Sequence, residues 1–188
     1  GFKVQKMHIV QVANLIPDLK GQDLLIEAIS ILKEKRIQDI QVDFIGGGLS
    51  SEPLVELAKE KGVLSQVNFL GLKDRDYIYG KLQDYDLMCH PSRHEGFGLT
   101  VAEGIAAGLP VLVPDADGPY EIIKQGELGY TFKKGDVASL ADALQDIYEH
   151  YQEQAERVGD AAYEHVKANY SIQHMVEQYI EEYKKALV

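Results

Sequence analysis

Short β-branched runs alternate along this chain with stretches whose apolar residues recur at helical spacing. MHIVQVA (7–13) reads as a strand, and QDLLIEAISILKEK (22–35) as an amphipathic helix. The same pairing then repeats. QVDFIGGG (41–48) precedes EPLVELAKEKG (52–62), where Gly62 is placed as a C-terminal cap. VNFLG (67–71) precedes RDYIYGKLQ (75–83), DLMCH (86–90) precedes TVAEGIAA (100–107), and VLVP (111–114) precedes PYEIIK (119–124). GYTF (129–132) ends the strand series, and from Val137 the pattern is helical almost to the end. Short strands separated by helices imply right-handed crossovers. The predicted fold is α/β: a Rossmann-like, doubly wound parallel sheet of about six strands with helices on both faces.

In such sheets ligands sit outside the carboxyl ends of the strands, near the reversal of strand order. The glycine-rich and polar loops NLIPDLKG, GGGLSS and PSRHEGFG all follow strands, so one rim is the expected binding edge. The last segment differs in character. Ser171 suits an N-cap, and 172–187 carries Ile172, Met175, Val176, Tyr179, Ile180 and Tyr183 on one helical face. Such a stripe needs a surface to cover, and the sheet is already supplied with helices. The expectation is a terminal helix, 171–188, packing towards another domain.

Composition narrows the classes. The 188 residues are 45% hydrophobic and 26% charged, ordinary for a globular domain. No apolar run approaches the ~18–20 residues of a membrane span, and no signal-peptide pattern is present. Cys89 is the single cysteine and cannot form an internal disulfide, which points to a reducing, cytoplasmic setting. Its place in DLMCH suits a small core residue better than a nucleophile. The formal charge of −11 argues against nucleic-acid binding, because phosphate backbones would be repelled. An anionic ligand must then be held locally. The six histidines are scattered, and no spaced Cys/His cluster suggests a metal.

The chemistry concentrates in HPSRHEGFGLTVAEGIAAGLP (90–110). A helix starting near Leu99 or Thr100 offers first-turn amides without internal acceptors, reinforced by the helix dipole. Gly96 and Gly98 permit close backbone approach, so a phosphate or diphosphate at the amides of Gly98, Leu99 and Thr100 is the natural occupant. Glu95 and Glu103 stand eight positions apart on either side. Carboxylates accept from hydroxyls, so the spacing suits a ligand with hydroxyls flanking a diphosphate. The plainer reading makes Glu103 a solvent-facing first-turn acid and Glu95 a turn residue. Lys20, at a helix entrance, can reach phosphate, although most lysines so placed are only solvated. Arg93 beside Glu95 can add positive charge. GGG at 46–48 lacks the dinucleotide fingerprint, which argues against a nicotinamide dehydrogenase.

Four stretches together resemble the C-terminal domain of a family 4 glycosyltransferase of the GT-B fold (glycosyl transferases group 1). VANLIPDLKGQDLLIEAISIL is similar to that family's first strand, phosphate loop and helix. FIGGGLSSEPLVELAKEKGVLSQVNFLG resembles its second strand, glycine loop, helix and third strand. HPSRHEGFGLTVAEGIAAGLPVLVPDADGPYEII carries its paired glutamates at Glu95 and Glu103, and GELGYTFKKGDVASLADAL resembles the segment that follows.

The resemblance implies that residues 1–188 are the donor-binding half of a retaining transferase, which moves a sugar from a nucleotide diphosphate sugar to a saccharide or lipid-linked acceptor. It implies that Glu103 binds the ribose and Glu95 the donor sugar. The amides of Gly96, Phe97, Gly98, Leu99 and Thr100 hold sugar and diphosphate, and Lys20 neutralises the diphosphate. Asn14 and Arg93 join the donor site, with Gly46, Gly47, Leu70 and Leu72 towards the base. No cofactor or metal is implied. The resemblance further implies an acceptor-binding N-terminal domain outside these residues, so this chain by itself is expected to be inactive, and none of its histidines inherits the catalytic histidine of that half. Polysaccharide biosynthesis in the cytoplasm follows from the same resemblance, with peripheral membrane association through the missing half. Two positions depart from the family: Asn14 where arginine is frequent, and Gly47 where aspartate is frequent. The alternatives weighed beside it are a non-catalytic nucleotide-sugar-binding module and a sugar-nucleotide epimerase on a similar fold.

Overall fold

The computed structural model describes residues 6–96, 98–151 and 156–168, together with Glu177 and Glu181. Six strands form one sheet: β1 (Met7–Val12), β2 (Ile40–Ile45), β3 (Val67–Gly71), β4 (Leu87–Cys89), β5 (Val111–Pro114) and β6 (Tyr130–Phe132). All neighbours are parallel, in the order β3-β2-β1-β4-β5-β6. The order reverses between β1 and β4, where the next connections leave on opposite sides and open a crevice at the carboxyl edge.

Strand residues alternate between two cores. Ile9, Val42, Phe44, Cys89 and Leu112 face one side, covered by α2 (Gln22–Glu34), α3 (Glu52–Glu60) and α7 (Val137–His150). Val10, Ile45, Met88, Val111 and Val113 face the other, covered by α4 (Arg75–Leu82), α5 (Leu99–Ala106), α6 (Asp117–Ile122) and α8 (Glu156–Ala168). Each such buried aliphatic side chain contributes about 1.5–3 kcal/mol, and burial on both faces explains why the strands read as apolar runs. Cys89 is fully buried and its thiol pKa is pushed up by desolvation, as suits a core residue.

The elements match the expected ones with local differences. The polar loop after β1 contains a short helix, α1 (Pro17–Lys20). Pro17 opens it, Asp18 favours its first turn, and Gly21 closes it in the left-handed region. A 3-10 turn at Leu64–Gln66 precedes β3. α6 begins at Asp117, so Pro119 lies inside its first turn rather than at its start; extended Ala116 is the residue that launches it. The expected terminal helix over 171–188 lies outside the described residues, apart from Glu177 and Glu181.

Candidate functional site

An open cleft of about 360 Å³ lies at the carboxyl edge, over the reversal point. Ala13 and Asn14 enter it after β1, Gly46 after β2, Leu72 and Lys73 after β3, and His90 after β4; Lys20, Glu95 and Thr100 complete its wall. Of the expected site residues, Asn14, Lys20, Gly46, Leu72, Glu95 and Thr100 therefore line it. Gly98 and Leu99 start α5 beside it, and Glu103 lies one turn further along that helix. Phe97 is outside the described residues.

Local folding explains the placement. Buried Gln11 donates to the Lys20 carbonyl (2.8 Å) and buried Gln22 to the Asn14 carbonyl (2.8 Å), fixing the loop that carries both. Gly98 is the N-cap of α5 with φ 80° and no side-chain cap, and a Cβ there would lie 2.8 Å from Pro119. The first-turn amides of α5 are thus left to other acceptors, as the sequence suggested. A Cβ at Gly47 would lie 3.2 Å from that of Leu72, so an aspartate there would crowd Leu72, which is 79% exposed at the cleft mouth.

Each glutamate has one oxygen held by two donors. Lys20 Nζ lies 2.9 Å and His90 Nε2 2.8 Å from Glu95 Oε2. Burial alone would raise the Glu95 carboxyl; the bonds from His90 and Lys20 outweigh it and bring the pKa down to about 2. Arg75 donates to Glu103 Oε1 (3.0 Å), Tyr79 Oη lies 3.2 Å from the same oxygen, and Arg75 Nε donates to Tyr79 Oη at 3.1 Å. Desolvation works against the charged Arg75, but its bonds to Tyr79 and Glu103 leave its pKa raised. Glu95 Oε1 and Glu103 Oε2 accept no hydrogen bond among the described residues, which leaves one free acceptor on each side of the α5 start.

Two expectations change in the structure. Arg93 does not add charge to the cleft: it makes two bonds to the Asp23 carboxylate (2.9 and 2.8 Å) and one to the Pro17 carbonyl (2.7 Å), because Asp23 in the first turn of α2 is its nearest anion. Leu70 packs against the core on the α4–α5 side, since strand alternation turns it inward, and Leu72 and Lys73 take the cleft position. Lys20 lines the cleft and is also the partner of Glu95. The sequence reading missed His90, Lys73, Arg75 and Tyr79. His90 directly follows β4, Lys73 stands in the short loop after β3 and Arg75 opens α4 behind that loop, and a position just past a strand end on the binding rim was the available signal. Among the described residues no His/Cys/Asp/Glu group is arranged for a metal, and no helix is long and apolar enough to cross a membrane.

The fold is shared with solved structures at low sequence identity. HepE of Anabaena, solved in complex with UDP, superposes with a TM-score of 0.80 at 22% identity, covering 96% of this chain and 49% of that one. Sucrose-phosphate synthase from Thermosynechococcus elongatus gives 0.80 at 22%, over 99% of this chain and 47% of that one. Among curated sequences, EpsD of Bacillus subtilis (strain 168) is 35% identical over 159 residues, 85% of this chain and 40% of EpsD. D-inositol 3-phosphate glycosyltransferase of Nocardia farcinica is 31% identical over 185 residues, 95% of this chain and 41% of that protein. The chain spans about two fifths of the length of these relatives. Residues 1–165 match the family described as Glycosyl transferases group 1, and that match, on a fold with paired glutamates at its switch point, places the chain in this family.

Proposed function

We propose that this chain is the C-terminal, donor-binding half of a retaining family 4 glycosyltransferase, using a nucleotide diphosphate sugar. The observation that carries this reading is the pair of free carboxylate oxygens, on Glu95 and Glu103, either side of the uncapped start of α5. A diphosphate fits the first-turn amides of Leu99 and Thr100, with Lys20 and Lys73 supplying positive charge that Asn14 does not. Glu103 accepts from the ribose and Glu95 from the transferred sugar. In transfer, the bond from the sugar C1 to the diphosphate breaks and a bond to the acceptor oxygen forms. These amides and lysines would stabilise charge on the leaving diphosphate. The acceptor, and the group receiving its proton, belong to an N-terminal half, so this chain alone binds donor without transferring sugar. Association with a membrane and a role in cytoplasmic polysaccharide assembly would rest on that half. HepE was solved with UDP, which makes UDP the first diphosphate to test.

Calorimetry with a nucleoside diphosphate and its sugar decides the reading. Losing a charged hydrogen-bond partner costs roughly 1.5–3 kcal/mol, about ten- to a hundred-fold in affinity. Glu103→Ala should weaken both ligands by that factor, and Glu95→Ala only the nucleotide-sugar. If Glu95→Ala weakens both equally, or Glu103→Ala neither, the assignment is wrong.

A further inference from the structure

Both partners of Glu95 bond the same oxygen, yet they differ in what else they can do. Lys20 stands on α1 with its side chain 22% exposed, on a flexible stem with three donors. The His90 side chain is 3% exposed and fixed directly after β4, its backbone N–H bonded to the Leu112 carbonyl at 2.9 Å. Because Glu95 is ionised, the proton of the 2.8 Å contact sits on His90 Nε2. His90 Nδ1 is buried and meets no partner among the described residues. An orphaned buried polar atom is costly, and a position that only filled space would shed that cost by being apolar.

A diphosphate arriving in the cleft attracts the Lys20 ammonium and brings negative charge towards Glu95. With Lys20 as sole partner, the carboxylate would lose its orienting bond at the moment the ligand needs it. We propose that His90 is a positioning residue for sugar recognition: it retains Glu95 Oε2 when Lys20 turns to the diphosphate, keeping Oε1 directed at the transferred sugar. This inference rests on the donor reading above. It assigns a role within this half of the molecule to a histidine that touches no substrate itself.

The test uses this chain with three ligand pairs, UDP and UDP-glucose, GDP and GDP-mannose, and ADP and ADP-glucose, followed by calorimetry on the pair that binds. His90→Met fills the volume without a donor and should weaken the nucleotide-sugar about ten-fold or more while moving the diphosphate less than about two-fold. His90→Gln restores an N–H donor and should lose no more than about three-fold. In a Glu95→Ala background, where no carboxylate remains to be positioned, His90→Met should cost nothing further. Equal weakening of both ligands, no weakening of either, or a Gln variant as poor as Met overturns the proposal. Nitrogen-15 NMR of the ligand-free ring gives a second readout that needs neither ligand nor a stable Met variant. A proton on Nε2 that depends on Glu95 supports the clamp, and a ring protonated on Nδ1 alone, with Nε2 bare, overturns it. If no pair binds at all, the donor reading fails, and the clamp is decided by the ring proton alone.

Discussion

Glu95 precedes α5 and Glu103 lies one turn inside it, and the two are held by different means. Glu95 is gripped by groups from two separate strand-end loops, one of them a buried histidine. Glu103 is gripped by Arg75 and Tyr79, one turn apart on a single helix, with the Arg75 side chain 39% exposed and its charge over the Tyr79 ring at 5.5 Å. Exposed pairs of the second kind are screened by water and salt and contribute little to stability. The two carboxylates are about equally sheltered (19% and 17% exposed), so the difference lies in their partners: His90 is buried at 3% exposure, and its loss leaves Glu95 without a donor that water can readily replace. Glu95 is therefore held by groups from two strand-end loops, and Glu103 by two side chains of one helix, α4.

The largest expected effect is at Lys20. Lys20→Met should weaken a nucleoside diphosphate by roughly ten- to a hundred-fold while leaving the nucleoside nearly unchanged, with the loss shrinking as salt rises. Calorimetry at two salt concentrations checks this, and equal losses for both ligands would make Lys20 only a structural partner of Glu95. The next effect concerns pH. The Glu95 carboxyl falls from its usual 4.5 to about 2 on folding. Its contribution to stability is thus complete above 4.5 and is lost as pH drops towards 2. Urea midpoints measured across that window should fall less steeply for Glu95→Gln than for the parent chain. The smallest effect belongs to the other node: Arg75→Met and Tyr79→Phe should each change stability by less than about 1 kcal/mol. A larger loss in chemical unfolding would mean that the Glu103 cluster is as deeply built in as that of Glu95.

Much of this architecture is legible from residue order alone. Alternating apolar runs such as MHIVQV and VLVP, each followed by a helix, identify the parallel sheet, and the loops after strands identify its working rim. α1 is not legible in that way, because four residues make no helical period; only Pro17 and Gly21 mark its ends. The Glu95–Glu103 spacing shows which side chains carry the chemistry, but not what holds them. Arg75 and Tyr79 lie 28 and 24 residues from Glu103, and only the closure of the sheet brings them together. His90 is illegible for a different reason. A histidine ending an apolar strand looks like a strand residue until the loop folds back and sets Glu95 against it.

Gly21 has a consequence for anyone who would re-engineer this molecule. Its φ is 72°, and a Cβ there would collide with the Pro91 carbonyl oxygen. Around that contact, Arg93 N–H donates to Leu19 O (2.8 Å), Ser92 Oγ reaches the same carbonyl (2.9 Å), and the Arg93 guanidinium binds Pro17 and Asp23. Segments 17–23 and 91–95 are therefore one interlocked cassette, although more than sixty residues separate them in the chain. A chimera that exchanges the glutamate motif with a relative, but leaves the lysine segment behind, would pair two surfaces that never matched. Donor specificity should transplant between relatives only when both segments travel together.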